Sequence, residues 1–434
     1  MKKILVLFIV VFSFFMSVAV ASIPKVEEVE SKGGYKLWMI EDNYLPIVSI
    51  KLVFKNSGTA YDTEGKKGLA HMVTGLLDEG AGGISSFDYR KKLESLATTI
   101  SFDVDEDNFY VNVKTLKDNL EETLKLLNLT LTKPNLKPEI IERIRNQILV
   151  IIQKKQESPQ YVASKKFKEA VLGSHPYSRT KYGVPKAVRS ITREDIVAYV
   201  NDNFSKENII ISVVGDVKKS KIRKLLDNHL KLKDERKDVI SLPPVKVKNE
   251  EQYIKISKSI PQSVVYFGSE GIKRSDKDFY PAYIMNHILG GGGFESRLMD
   301  TVREKNGLAY SVYSYLSTYN KAGLFVGYVG TDVKKVDKSI KLIKKELKKL
   351  YKDGVTEKEL NDAKDYLVNS YPLKMTKNEN LAAYLSVMQS ENLGIDFLEK
   401  RNDYVRSVTA QQIKAAAKDL LDVGKMTFVV VGDN

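Results

Sequence analysis

The chain has four histidines and no cysteine. Thiolate chemistry and disulfides are therefore closed to it, and any metal site must be built from His, Asp or Glu. The histidines are His71, His175, His229 and His287. None has another one helical turn away, the spacing that lets two imidazoles share a cation on one helix face. A second chemistry-bearing stretch lies farther on. Gly290-Gly291-Gly292-Gly293-Phe294 leads into Ser296-Arg297-Leu298, then Arg303-Glu304-Lys305, then Gly307-Leu308-Ala309-Tyr310-Ser311. Four glycines could cradle a phosphate, but no nucleotide motif, Lys-Ser/Thr or strand-loop-helix context accompanies them. They could equally form a flexible turn that allows close backbone approach. An Arg and a Tyr seven positions apart carry no information by themselves. With 13 arginines and 23 tyrosines in 434 residues, about 0.7 such pairs arise by chance at any one spacing. The order of the surrounding residues makes the segment specific.

These groups need a scaffold, and the scaffold is preceded by an export signal. Lys2 and Lys3 form a positive head, and Ile4 to Val18 is apolar except for Ser13 and Ser17. Ala19-Val20-Ala21 then precedes Ser22, a small-x-small pattern of the kind a signal peptidase cuts. Residues 1–21 are expected to be removed and the mature chain to work in the periplasm or otherwise outside the cytoplasm, an uncleaved anchor being the alternative. No later stretch is apolar for long enough to span a bilayer.

What remains is long enough for two or more domains. The net charge of +14 could suggest a nucleic-acid or anionic surface. Only 13 of the 69 basic residues are arginine, however, and the lysines are spread over helix faces. In 335–350, Val336, Ile340, Ile343, Leu347 and Leu350 make one apolar stripe and lysines fill the opposite face, with a stop near Gly354. That pattern predicts a solvated amphipathic helix and no nucleic-acid partner.

The most informative large-scale feature is a repeat. Residues 190–216 align without a gap to 407–433, and 9 of 27 positions are identical. Both copies open with a capping box, Thr192 with Asp195 and Thr409 with Gln412, and both close on an apolar strand ending in Gly-Asp. Each half opens with strand-like alternation: Val48, Ile50, Leu52 and Phe54 in the first, Ile254, Ile256 and Ile260 in the second. Strands such as Phe109–Val113 and Leu324–Val329 fall between helices. Residues 233–249 are polar and contain Pro243-Pro244, which cannot sit inside a helix. The expected fold is α+β: two similar domains, 22–232 and 250–434, joined by a 233–249 linker, each a mainly antiparallel sheet packed with helices.

One segment carries a resemblance. Gly68-Leu69-Ala70-His71-Met72-Val73-Thr74-Gly75-Leu76-Leu77-Asp78-Glu79-Gly80 resembles the start of the zinc helix of the pitrilysin/insulinase family of zinc peptidases, which also includes the mitochondrial processing peptidases. There an H-x-x-E-H motif places two zinc ligands on one face with the water-activating Glu between them. A further Glu from a later helix completes the site. His71 matches the first ligand, but Thr74 stands at the Glu position and Gly75 at the second His. The distal ligand falls near Ile151, in Ile148-Leu149-Val150-Ile151-Ile152, which has no carboxylate. No metal is expected in this chain.

The second half departs less. Its Ser-Arg-Leu and Arg-Glu-Lys-Asn-Gly-Leu-Ala-Tyr-Ser stretches are similar to the family segment that carries an Arg/Tyr pair, here Arg303 and Tyr310. In the family, that Tyr donates toward the oxygen that becomes anionic as water adds to the scissile carbonyl, and the Arg helps hold the peptide backbone. A glycine-rich segment of the non-zinc processing-peptidase subunit touches substrate, which marks Gly290, Gly291, Gly292, Gly293 and Phe294 as candidate substrate contacts. The resemblance runs from Gly34 to Gly432, including Leu45-Pro46 and His175-Pro176-Tyr177. Some bacterial members are pairs in which one chain holds H-x-x-E-H and the other the Arg/Tyr pair. This chain looks like the second kind. The resemblance implies a substrate-binding subunit of a heterodimeric metalloendopeptidase, acting on peptide or unfolded protein, with zinc in a homologous partner. An inert scaffold with the peptidase fold and a self-sufficient peptidase with an unusual metal site are the alternatives.

Overall fold

The structure, a computed structural model, is described over residues 24–237 and 240–432. The leader expected at 1–21 lies outside the described residues. Among the described residues no helix is long and apolar enough to cross a membrane.

Period-two alternation produces the sheets. The first contains β1 (Glu27–Glu30), β2 (Lys36–Glu41), β3 (Ile47–Lys55), β4 (Thr99–Val104), β5 (Asn108–Leu116) and β6 (Ile209–Gly215), ordered β1-β2-β6-β3-β5-β4. The second contains β7 (Gln252–Ile256), β8 (Gln262–Glu270), β9 (Ala309–Thr318), β10 (Gly323–Asp332) and β11 (Thr427–Val431), ordered β7-β11-β8-β10-β9. Among these strands only β2/β6 and β7/β11 are parallel pairs. The others are antiparallel. With β1 set aside, the two sheets have the same strand order and the same directions, as a duplicated α+β unit requires. Val48, Ile50, Leu52 and Phe54 are all buried on one face of β3. Ile254, Ile256 and Ile260 pack against the second sheet's inner core.

The repeat is visible in side-chain detail. Helices Arg193–Asn203 and Ala410–Leu420 each begin with a closed capping box, Thr192 with Asp195 and Thr409 with Gln412, and lead into β6 and β11. In helix Val336–Asp353 the five stripe residues are buried, and the helix ends at Gly354, whose φ of 78° suits a residue without Cβ.

Packing crosses the halves of the sequence. Each sheet is covered on one face by helices of its own half. The other face is covered by a helix from the opposite half. Helix Pro159–Leu172 follows helix Pro138–Glu157 in the first half and lays Ala163, Phe167 and Val171 on Val264, Val326 and Val429 of the second sheet. Helix Asn378–Ser390 follows helix Glu357–Asn369 in the second half and lays Leu381, Leu385 and Met388 on Ile40 and Val214 of the first. Gln389 Nε2 donates to Ser212 Oγ at 2.9 Å, anchoring this second helix across the boundary.

The two equivalent hairpin turns also meet. Asp107, before β5, accepts from the backbone N–H of Asn320 at 2.9 Å and from the Tyr177 hydroxyl at 2.5 Å, while Tyr177 stacks on Tyr319. Even the polar connection is tied down. Leu242, Val245 and Val247 pack beside helix Pro159–Leu172, and Lys248 N–H donates to the carbonyl of Val171.

Because each sheet's second cover comes from the opposite half, the chain should melt as one unit. Phe167→Ala and Leu385→Ala each remove a fully buried side chain and should each cost about 3–4 kcal/mol. Denaturant unfolding followed by probes in both halves should show coincident transitions shifting together in either variant. Independent transitions would count against the exchange as a stabilising device.

Candidate functional site

The histidine of the first half sits on helix Leu69–Leu77, just behind its N-terminus. That end is fixed by buried Asp62, which accepts from the N–H groups of Gly68 and Ala70 at 2.8 and 3.0 Å. His71 stacks edge-on against Tyr182 at 4.9 Å, and its Nδ1 is buried without a hydrogen-bond partner. Burial pushes the imidazole down to about 4, with the Lys181 ammonium adding to the effect and Asp103 opposing it.

Thr74 turns its hydroxyl back onto the carbonyl of His71 at 2.7 Å. Gly75 lets the helix approach helix Pro138–Glu157 closely, since a Cβ there would lie 3.2 Å from Ile144 Cγ2. Ile144, Ile148 and Ile152 face inward on that second helix, whereas Ile151 is 36% exposed. One imidazole, a hydroxyl turned to its own backbone and a hydrocarbon do not form a zinc donor set. The residues present do not fit the metal. Among the described residues no group of three or more His, Asp or Glu side chains is arranged to hold one.

The other histidines are engaged separately. His175 Nδ1 accepts from Tyr177 N–H, His229 lies 3.2 Å from Glu121, and His287 stacks on Tyr366. Sequence reasoning missed Tyr182, the aromatic cover over His71. Its signal was the following glycine: Gly183 has φ of 73°, and a Cβ there would lie 2.0 Å from the carbonyl oxygen of Lys67. That contact presses the Tyr182 loop onto the start of the histidine helix.

In the second half the glycine run is in part built into the fold by a close backbone approach. Helix Phe279–Asn286 continues into a π-helical turn, His287–Gly291, in which Gly292 N–H reaches back to the carbonyl of His287 at 2.8 Å. Gly290 is buried, and a Cβ on it would collide with Ser314 of β9 at 2.5 Å. Gly291, Gly293 and Phe294 are exposed, and Gly292 is half-buried against His287.

Beyond the run, Ser296 Oγ donates to the Gly293 carbonyl at 2.7 Å. Arg297 grips Glu359 with two bonds of 2.6 and 2.8 Å. Burial works against ionisation of Glu359, but Arg297 and the capping contacts of Thr356 overcome it and hold the carboxyl near 2. The Ser-Arg-Leu stretch is thus an anchor, with Leu298 wholly buried.

A second π-helical turn, Met299–Glu304, carries Arg303. The chain then reverses, with Gly307 N–H and Leu308 N–H donating to the carbonyls of Arg303 and Val302. Tyr310 follows as the second residue of β9, beside the irregularity where β9 shifts register against β10, and it is 71% exposed. The Arg303 guanidinium lies 4.9 Å from the ring centre of Phe294, and its Nε is 3.4 Å from Glu304. Phe294 and Arg303 are therefore brought together, and Tyr310 projects from the strand that follows. β9 is an edge strand, and among the described residues no strand pairs with it on the side away from β10.

A duplicated α+β unit with exchanged helices, a ligand-poor histidine helix in one half and an Arg/Tyr segment in the other defines a two-domain, peptidase-like protein. The chain belongs to the insulinase family, peptidase family M16: residues 37–183 match that family's model, and residues 190–367 match the model described as the peptidase M16 inactive domain. It is similar to a Helicobacter pylori protein described as a non-peptidase homolog, YmxG, 27% identical over 91% of this chain and 90% of that one. A solved peptidase M16 inactive domain from Pseudomonas fluorescens superposes with a TM-score of 0.86 and 27% identity, covering 94% of this chain and 98% of that one. A protease structure from Helicobacter pylori shares the fold at TM-score 0.86 and 20% identity, covering 94% and 99%.

His71 gives a pH signature. Its folded-state pKa lies below that of an unfolded histidine, so the fold favours the neutral ring, and the stability tied to it is lost as pH falls below about 6.5. Between pH 7 and pH 5 this amounts to about 2 kcal/mol. Thermal or denaturant melts of His71→Phe should show less acid destabilisation than the parent over that range and little difference at pH 8. Equal pH profiles would mean that His71 titrates normally.

Proposed function

We propose that this chain is the non-zinc, substrate-binding subunit of an exported heterodimeric zinc metalloendopeptidase. The partner is a homologous chain with an intact H-x-x-E-H motif, which supplies the zinc, and the substrate is a peptide or unfolded protein. The observation that carries the reading is an asymmetry between the halves. Helix Leu69–Leu77 has lost the donors that peptide hydrolysis needs, while the Arg303/Tyr310 segment keeps its exposed hydroxyl and its cation on an anchored framework.

Tyr310, with a neutral O–H, suits hydrogen bonding to an oxygen that gains charge as a carbonyl is attacked. Arg303, always charged, suits holding peptide carbonyls. A strand edge and an exposed Gly293-Phe294 step lie beside them. The similarity to proteins described as a non-peptidase homolog and an inactive domain supports a chain with no hydrolytic activity of its own. Those descriptions fit an inert scaffold as well, and the Arg/Tyr segment is what favours the subunit.

In the reconstituted pair, Tyr310→Phe should leave folding and association intact and lower turnover by roughly 10²–10³-fold. Arg303→Ala should impair substrate handling too, and His71→Ala should leave the chemistry largely unchanged. If Tyr310→Phe and Arg303→Ala both retain full activity, the scaffold reading replaces this one.

The chain alone should bind no stoichiometric zinc and cleave no peptide. Metal analysis finding about one tightly held zinc per chain would instead favour a self-sufficient peptidase.

A further inference from the structure

We propose that Phe294 is a positioning residue for Arg303: its ring, carried on the exposed end of the glycine run, holds the guanidinium in place. This deepens the subunit reading and rests on it for the importance of Arg303. Phe294 was expected to be a direct peptide contact. The contact with Arg303 adds a second task to that expectation.

Phe294 is 65% exposed and belongs to none of the buried cores, so burial does not explain an aromatic side chain there. Among the described residues its one aromatic-type interaction is with Arg303, whose Cζ lies 4.9 Å from the ring centre, within the range of a cation–π contact. The guanidinium's other neighbours are weak. Glu304 lies 3.4 Å from Nε, and the Met299 sulfur, 4.0 Å from Nη1, is a poor acceptor. The Arg303 side chain is 37% exposed, and the Phe294 ring is the contact that faces the plane of its guanidinium.

The backbone on both sides is held independently of this contact. Gly290 is wedged against Ser314, Ser296 is tied to Gly293, and Arg297 is clamped to Glu359. The two side chains therefore meet because the framework delivers them to one place, and replacing Phe294 should loosen Arg303 without unfolding the loop. Glu304 meets the guanidinium at Nε, and the flat ring orients its plane without taking up its remaining N–H groups, which suit a peptide carbonyl.

The test uses arginine side-chain NMR on the full chain, with the Arg303 signal assigned from Arg303→Lys. The ring current of Phe294 should displace the Arg303 side-chain resonances. Phe294→Leu should abolish the displacement and speed exchange of the Nε proton about threefold, whereas Phe294→Tyr and Phe294→Trp should preserve both. In the reconstituted pair, Phe294→Leu should lower kcat/KM by about threefold, in line with an exposed cation–π contact, and the two aromatic variants should restore it. The proposal is overturned if Phe294→Leu leaves the Arg303 signal unmoved. It is also overturned if that variant raises KM with Arg303 undisturbed, the result expected of a direct substrate contact. The NMR readout does not depend on hydrolysis, so it separates this proposal from the subunit reading, which Tyr310→Phe tests by itself.

Discussion

The central strands of both sheets are buried on two faces, and in each sheet helices of the same half cover one face. Nine of the ten residues of β10 are buried, as are all five of β11, so neither strand has a side that can face water. A sheet of this kind must be covered twice. Each half meets the requirement by lending the other its helix from the same ordinal place, Pro159–Leu172 in one direction and Asn378–Ser390 in the other. The sequence halves are repeats, but each of the packed bodies contains parts of both.

That constraint sets the character of the candidate site. Arg303 and Tyr310 stand on segments held by Gly290 against β9, by Arg297 on Glu359 and by the closed turn at Gly307. Preorganised donors need such a platform, because a group that must reorient during reaction forfeits much of its electrostatic effect. The other half shows what replaces a metal when its donors are gone. His71 is half-buried against the edge of Tyr182, and burial holds the imidazole neutral. The histidine helix keeps its place in the core through Ala70, Met72, Val73 and Leu76, which owe nothing to zinc.

Much of this could be read from the chain itself. Period-two alternation located β3, the stripe through Val336 and Leu350 located its helix, and the repeated capping boxes announced equivalent units. These signals are local, carried by spacing along a single segment. The exchange of helices was not legible. Ala163, Phe167 and Val171 recur every four residues and declare an apolar face, but spacing cannot say which sheet that face will meet.

At the site, the substitutions at Thr74 and Gly75 were plain from the motif. The covering of His71 by Tyr182 was not, because more than a hundred residues separate the two and only the close approach at Gly183 hinted at it. The meeting of Phe294 with Arg303 was hidden for another reason. Two π-helical turns lie around it, and each shifts the register on which helical spacing arguments depend.

The lending of helices also sets a timetable. Gln389 and its partner Ser212 are 177 residues apart in the chain, so a decisive contact of the first sheet can form only after most of the second half exists. At a synthesis rate of about 5–20 residues per second, that interval lasts roughly 10–30 s. During it the nascent first half presents a sheet lacking one cover and a helix, Pro159–Leu172, lacking its sheet. Contacts of such long separation make folding slow. They also make the half-made chain the stage most exposed to aggregation, with β4 and the uncovered face of β6 as its most adhesive surfaces.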